Sequence, residues 1–276
     1  MTVFTTPEPI TATLTTAGAH VRIAASERPD TVVRVEPVNS ASKSDIKVAE
    51  QTEVAFAEGE LTIKTNKPGA KSGSVAITVE LPAGSALVLE TAWTDVHADG
   101  RLGACSLDMA SGRVKLAHAD ALHGRLSSGE VEVGHVAGTA DLDGGTAGVR
   151  IGEAGGTLRY VGASGRVWLG RAHSDVDFTG SGGSFTVDHA DGSVFAKAAN
   201  CPIRIGRMTS GQADLTNAAG GIEVGIAAGT TASVDADSTK GAVRNSLPEN
   251  AAESADHVKI HARTRLGDIV IHRADA

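Results

Sequence analysis

A series of titratable residues is the feature of this sequence best suited to chemistry. Each residue follows a regularly spaced apolar residue by four positions, and the members are His118, His135, Glu153, Arg171, His189 and Arg207. Imidazole nitrogens are common zinc ligands, so His118 and His135 could share a metal ion if a third ligand joined them. His189 and Asp191 form a second candidate pair. A zinc site needs three or four converging ligands, so a solvated polar corner is the favoured alternative, and we predict no metal or cofactor.

A second candidate is a pair of carboxylates. Asp141 and Asp177 alternate with Arg159 at the regular spacing of the repeat described below. Two carboxylates can divide the acid and base roles of polysaccharide cleavage when their environments separate their pKa values. The intervening Arg159 instead favours a ladder of alternating charges, with the two carboxylates about 10 Å apart. We therefore predict no catalytic residue and no enzyme.

A tryptophan and two cysteines are the other candidates for a contact surface and for thiol chemistry. Trp168 faces outward in the same repeat, so Trp168 and the nearby Arg171 are candidates for partner contact, with a partly covered surface tryptophan as the alternative. Cys105 and Cys201 lie about five repeat units apart, beyond the reach of a disulfide, and are expected to be free thiols.

A repeat of about 18 residues positions all these side chains. Its first apolar positions recur once in each unit, and they are Val114, Val131, Val149, Val167, Phe185, Ile203 and Ile222. A second apolar residue follows two positions later, with a mostly polar residue between, which is the pattern of a strand with one buried face. A second short strand in each unit starts at Ala140, Leu158, Val176 and Val194.

Such a unit cannot bury its apolar residues alone, but stacked units would place strand on strand about 4.8 Å apart. The sequence therefore predicts an all-β, single-stranded, right-handed parallel β-solenoid (a β-helix), with a left-handed coil as the alternative. Glycines are expected at the corners, where a positive φ or a close backbone approach is required. Outward Lys115, Glu132 and Arg150 would place opposite charges on neighbouring coils.

Both ends of the repeat are less regular. Residues 1–90 read as strands of varying length interrupted by a polar stretch, NSASKSD, and are interpreted as a cap or as irregular first coils. Residues 91–276 form the regular solenoid in one continuous domain, with GAVRNS and LGDIVIHR as further coils. The acidic segment at 246–257 is predicted to be a mobile loop.

The sequence resembles the bacterial putative adhesin family of β-strand-repeat proteins, a domain of unknown function. The segments that carry the resemblance cover nearly the whole chain, and they are ITATLTTAGAHVRIAASERPDTVVRVEP, GELTIKT, SVAITVELPAGSALVLET and the SG-x-V-x-[VL] coils. The resemblance implies a right-handed parallel β-solenoid and supplies no catalytic motif.

Composition narrows the class of protein further. The net charge of −8, with no run of Lys or Arg, argues against nucleic acid as a partner, and no stretch has the length and hydrophobicity of a membrane span. The start lacks the pattern of a signal peptide, so a cytoplasmic location is expected in preference to a surface or secreted one.

The sequence therefore predicts a non-enzymatic scaffold or binding protein for an unknown protein or glycan. The alternatives are a filament or other homo-oligomer formed through the solenoid ends, and a polysaccharide-active enzyme.

Overall fold

A computed structural model describes residues 1–65, 73–248 and 257–274 of the chain. Strands account for 69% of the structure and helix for 3%, and the strands are mainly parallel, which confirms the predicted all-β parallel β-solenoid. The chain divides into two compact units, Met1–Ala137 and Gly138–Ala276. The boundary predicted at residue 90 stays a prediction.

In its described residues, the first unit contains one helix, α1 (Lys43–Gln51), and eleven strands. These are β1 (Thr2–Thr5), β2 (Thr11–Ala17), β3 (Ala19–Ser26), β4 (Asp30–Pro37), β5 (Glu53–Ala57), β6 (Glu60–Lys64), β7 (Val75–Pro82), β8 (Ala86–Ala92), β9 (Thr94–Met109), β10 (Gly112–Leu126) and β11 (Glu130–Val136). The described part of the chain contains no helix with the length and hydrophobicity that crossing a membrane requires.

Antiparallel pairs occur at the start of this unit. β1 pairs with β4, β4 with β7 and β5 with β6, all antiparallel. The rings of Phe4 and Phe56 contact each other with centroids 5.1 Å apart, which joins β1 to β5. The pairing of these strands thus differs from the parallel pairing of the coils that follow.

The polar stretch NSASKSD leads into α1, which the sequence analysis did not predict. The hydroxyl of Ser42 accepts a hydrogen bond from the backbone N–H of Asp45 at 3.3 Å, as an N-cap residue does. The Asp45 carboxylate accepts further bonds from the backbone N–H groups of Asn39 and Ser74, at 3.0 and 3.1 Å. The polar residues therefore begin a helix and hold it against the neighbouring loop.

Parallel coils follow in the same unit. β3 lies between β7 and β9, and β2 lies between β6 and β8. β10 pairs with β9 on one side and β11 on the other. Val96, Val114 and Val131 are register partners, as their spacing predicts, and the pairing of β9 with β10 shifts between Leu116 and His118.

The second unit contains fourteen strands in its described residues. These are β12 (Ala140–Gly144), β13 (Gly148–Ala154), β14 (Leu158–Gly162), β15 (Arg166–Ala172), β16 (Val176–Gly180), β17 (Ser184–Ala190), β18 (Val194–Ala198), β19 (Ile203–Met208), β20 (Gly211–Ala219), β21 (Ile222–Ile226), β22 (Thr231–Lys240), β23 (Val243–Asn245), β24 (His257–Leu266) and β25 (Ile269–Arg273).

The strands of this unit form two parallel ladders. Even-numbered strands pair with one another from β12 to β24, and odd-numbered strands pair from β13 to β25. One file of buried register partners is Val149, Val167, Phe185, Ile203, Ile222 and Ile269. The predicted register is therefore confirmed within the unit.

The last coil is out of sequence order. β24 lies between β20 and β22, and β25 lies between β21 and β23. The inward side chains of β24 are buried Val258, Ile260 and Ala262, whereas those of β22 are half-buried Ala232, Val234 and Ala236. The more apolar coil thus takes the better-covered place. Of the acidic loop predicted at 246–257, residues 249–256 lie outside the described part of the chain.

Three aromatic rings fill the core of the second unit. The rings of Tyr160 and Phe178 are stacked, and Phe178 is stacked in turn on Phe185 with centroids 4.3 Å apart. All three are at most 1% exposed. Elsewhere the two cores consist mainly of Val, Ile, Leu and Ala, in a chain with 3% aromatic residues.

Candidate functional site

The outer face of the first unit has a shallow depression of about 560 Å³, lined by Arg22, Ile23, Ala24, Thr78, Glu80, His97 and Asp99. Its floor is Ala24 on β3, whose register partners are Glu80 on β7 and Asp99 on β9. A small side chain thus lies between two longer acidic ones, which leaves the space open. This depression could not be predicted from the sequence because its lining comes from strands far apart in the chain.

Arg28 and His97 contact the acidic groups of the depression. Arg28 donates hydrogen bonds to Asp30, at 2.9 Å, and to Glu80. The hydrogen bonds to Asp30 and Glu80 raise the pKa of the Arg28 guanidinium. On the other side, Nε2 of His97 lies 3.2 Å from a carboxylate oxygen of Asp99. The depression therefore offers carboxylate oxygens beside the imidazole of His97 and the guanidinium of Arg22.

The first predicted metal pair lies on the same unit. The rings of His118 and His135 are stacked with centroids 4.7 Å apart, so adjacent coils bring them together as predicted. Nε2 of His118 also lies 3.4 Å from Asp120, whose carboxylate accepts hydrogen bonds from Arg101. Those bonds from Arg101 are the largest cause of a lowered pKa at Asp120. Across residues 1–65, 73–248 and 257–274, no three His, Cys, Asp or Glu side chains form a metal-binding group.

The second unit contains a denser cluster, centred on His173. Its Nε2 lies 2.6 Å from Oε1 of Glu153, and its Nδ1 lies 3.2 Å from Oδ2 of Asp191. Nε of Arg171 donates a hydrogen bond to the same Asp191 oxygen at 2.9 Å. The imidazole is thus held between carboxylates from the coils on either side.

Asp191 is the best-buried acidic group of this cluster, with a side chain 23% exposed. Burial acts to raise the pKa of its carboxyl, and the hydrogen bond and charge of Arg171 are the largest effects that lower it. Thr209 and His173 act in the same direction, and the pKa of Asp191 lies below its ordinary value. The hydrogen bond to Asp191 likewise raises the pKa of Arg171. The cluster is an ion-pair network in which the Asp191 carboxylate is charged at neutral pH.

The remaining predicted residues of the second unit are dispersed. His189 is exposed and has Arg171 and Arg207 as register partners, so its immediate neighbours in the column are cations. Asp191 bonds to Arg171 and His173, and the pair predicted from His189 and Asp191 does not converge. Trp168 is half-buried, and the Arg150 guanidinium lies 3.8 Å from the centre of its ring.

The predicted charge ladder is present. Asp141, Arg159 and Asp177 are register partners on β12, β14 and β16. Arg159 donates a hydrogen bond to Asp141 at 2.9 Å. This arrangement separates the two carboxylates by a cation, as the ladder interpretation predicts.

Both cysteines are buried free thiols, as expected from their spacing. Burial raises the pKa of Cys105 to about 12, with a smaller contribution from the charge of Asp120. Burial also raises the pKa of Cys201. Neither thiol has the lowered pKa and exposure of a reactive cysteine.

Comparison with known proteins gives structural neighbours alone. No family model and no curated protein matches the chain. A putative adhesin from Parabacteroides distasonis is 13% identical, with a TM-score of 0.36 and coverage of 98% of this chain and 95% of the other. A putative adhesin from Parabacteroides merdae is 12% identical, with a TM-score of 0.34 and coverage of 99% and 95%.

A third neighbour is a putative cell adhesion protein from Clostridium sporogenes, which is 10% identical, with a TM-score of 0.18 and coverage of 99% and 98%. Solved structures with adhesin names thus align over nearly the whole chain, and the resemblance noted in the sequence is confirmed as a resemblance. TM-scores and identities this low carry no argument about what the chain does.

Proposed function

We propose that this chain is a non-enzymatic scaffold that binds a protein or glycan partner on the outer faces of its coils. The observation that carries the proposal is the pairing of outward charged side chains between neighbouring coils. Three such ion pairs, with N–O distances of 3.1, 2.9 and 3.3 Å, are Lys115–Glu132, Arg159–Asp141 and Arg204–Glu223.

Pairing of this kind supports binding because it orders the surface before a partner arrives. Parallel strands about 4.8 Å apart set the spacing of the outward groups, and the ion pairs restrict their rotamers. A surface that is already ordered loses less conformational entropy on association. Charged groups at regular spacing suit an extended polar partner.

The same contacts count against the enzyme alternative. A polysaccharide-active site would use two carboxylates in different protonation states, and here Arg159 separates Asp141 from Asp177 and bonds to one of them. His173 is held by carboxylates at both ring nitrogens, which leaves neither nitrogen directed at a substrate. The ion pairs therefore favour a structural role for these groups.

Binding and turnover can be measured on the same samples. Affinity electrophoresis through gels containing single soluble polysaccharides would reveal retardation, and assays of reducing ends and of ultraviolet absorbance would reveal cleavage. We expect retardation without product. Product formation that increases with protein concentration would exclude the scaffold proposal.

A second candidate function is association of two copies through the terminal coil of β22 and β23. In the described part of the chain, β22 is paired on one side, with β24, and its inward Val234 is half-buried. An edge strand with exposed backbone groups can accept a strand from another molecule.

Analytical ultracentrifugation over a range of concentrations tests this association. We expect a dimer that Val234→Lys abolishes. The matched control is Val3→Lys, at a valine that is 53% exposed on β1. A wild-type chain that stays monomeric at high concentration would exclude the second candidate.

A further inference from the structure

Trp93 occupies an unusual position at the corner between β8 and β9. It is 72% exposed, in a chain with only 3% aromatic residues. Its φ is 48°, in the left-handed region that bulky L-residues rarely adopt. The corner therefore places a tryptophan side chain in solvent, on a backbone conformation that costs energy.

The neighbouring coils show which residues the corner accommodates without strain. The pairing of Ala17 with Ala92 places Gly18 beside Trp93, and Gly18 has a φ of 69°. The pairing of Gly112 with Thr94 places Ser111 on the other side, and its hydroxyl accepts a hydrogen bond from the Trp93 N–H at 3.2 Å. Small residues thus fit the corner, while Trp93 holds a strained backbone without gaining burial. Strain of this kind is found at functional sites.

A row of polar side chains leads away from Trp93 along β9. Asp95, His97 and Asp99 alternate with buried residues, so they lie on the outer face about 7 Å apart. Nδ1 of His20 lies 3.6 Å from a carboxylate oxygen of Asp95. The row ends in the depression over Ala24, where Glu80 faces Asp99 across the small residue. The aromatic ring thus stands at the corner that leads into the strand with this line of hydrogen-bonding groups.

The charges of this face indicate the chemistry of its ligand. Asp95, Asp99 and Glu80 would repel a polyanion, which requires clustered cations. Arg22 lies among these carboxylates and Arg28 bonds to Glu80, so a cationic ligand gains little. Carboxylates accept hydrogen bonds from hydroxyl groups, and cationic side chains donate to their oxygens. A ligand rich in neutral hydroxyl groups satisfies both.

A protein partner fits this face less well. The buried cores of protein–protein interfaces are depleted in charged residues, whereas Trp93 is followed by three titratable side chains in one row. The flat indole face instead matches the apolar face of a sugar ring, whose hydroxyl groups project from its edge.

We propose that Trp93 and the row Asp95–His97–Asp99 bind a neutral glycan, with one sugar ring stacked on the indole and neighbouring hydroxyls bonded to the carboxylates. This inference rests on the proposed binding function and names its ligand class and its site. The second tryptophan, Trp168, provides the matched control because Arg150 covers its ring.

The test uses the full chain and named polymers. Hydroxyethyl cellulose, galactomannan and dextran are the neutral probes, and polygalacturonate and heparin are the anionic comparators. In a Trp168→Phe variant Trp93 is the remaining tryptophan, so its fluorescence reports contact directly. We expect a saturable emission shift with at least one neutral polymer, and calorimetry to give the affinity.

Two variants locate the site. Trp93→Ala and Asp99→Ala should each weaken binding by roughly tenfold or more, whereas Trp168→Ala should leave it within about twofold. Trp93→Gly should also lose binding, yet unfold at a higher denaturant concentration than wild type, because glycine relieves the positive φ. Loss of binding in that variant therefore cannot come from misfolding.

The outcomes separate this inference from the proposed function. Unchanged affinity in Trp93→Ala, no binding of the neutral polymers, or binding of the anionic polymers alone would overturn the neutral-glycan site and leave the scaffold proposal standing. Cleavage of a bound polymer would instead overturn the scaffold proposal, even if Trp93 proved to be a contact.

Discussion

Tyr160 and Phe178 occupy the same position in adjacent coils, and their rings are stacked with centroids 5.5 Å apart and 5° between their planes. Phe185 extends the stack from the other ladder of the unit. In the coils on either side of this pair, the same position holds the smaller Leu142 and Ala196. The stack therefore concentrates much of the apolar contact of the second unit in three side chains.

Phe178→Ala should lower the free energy of unfolding by about 3–5 kcal/mol, because it leaves a cavity in the middle of the stack. Guanidinium unfolding followed by circular dichroism measures the change. Phe195→Ala makes the same chemical change at a residue that is 38% exposed, and we expect a loss below about 1 kcal/mol. Equal losses at the two positions would contradict the assignment of the core.

Tyr160→Phe should raise the free energy of unfolding by about 1 kcal/mol, since the buried hydroxyl has no hydrogen-bond partner among the described residues. Gly144 and Gly162 make room for that hydroxyl, because a Cβ on either would stand 2.3 Å from it. Phe178→Tyr adds a hydroxyl to the neighbouring ring and should destabilise the fold. A less stable Tyr160→Phe variant would show that the hydroxyl is satisfied in solution.

Gly129→Ala should destabilise the first unit by about 2–5 kcal/mol. Gly129 has a φ of 100°, and a Cβ there would stand 2.1 Å from the carbonyl oxygen of Gly112 in the adjacent coil. Gly18→Ala is the control, because Gly18 also has a positive φ of 69° but has no atom within 4 Å of an added Cβ. We expect about 1–2 kcal/mol there. Thermal unfolding of both variants separates backbone collision from conformational strain, and similar losses would exclude the collision.

Asp191→Asn should cost about 1 kcal/mol of stability at pH 7. The pKa of Asp191 is lowered in the folded chain, so its carboxylate stabilises the fold above the unfolded pKa of about 3.9. That contribution is lost as the pH falls through the folded pKa, and the variant should then approach wild type. Urea unfolding at a series of pH values from neutral to acidic measures the difference, with Asp143→Asn as a control on an exposed strand position. A difference that stays constant across that range would contradict the role of the charge.

The register of the coils could be predicted from the sequence because the repeat length hardly varies between Val114 and Ile222. Val167 and Phe185 differ in size but keep the same spacing and the same burial, so periodicity identifies their common file. His173 and Asp191 are also one repeat length apart, so the same spacing, applied to polar residues, predicts their contact. Glu153 does not lie at a whole repeat length from His173 and bonds across the register, so the repeat does not reveal it.

Two other features of the fold could not be predicted from the spacing of the repeat. The helix α1 lies between strands, and its local signal is a capping pair, Ser42 and Asp45, inside a stretch that otherwise has the composition of a loop. The last two coils both fit the repeat, so the repeat does not predict their order. That order depends on which coil gains more from burial: β24, with Val258 and Ile260, or β22, with the smaller Ala232.

The out-of-order coil has a consequence for how the protein is made. A ribosome releases β22 and β23 before β24 and β25, yet the finished fold places the later pair between the earlier pair and the coil of β20 and β21. Vectorial growth of the ladder during translation therefore stops at β21. β22 and β23 therefore reach their native pairing only after residues 257–273 have been synthesised, since their partners β24 and β25 lie in that segment.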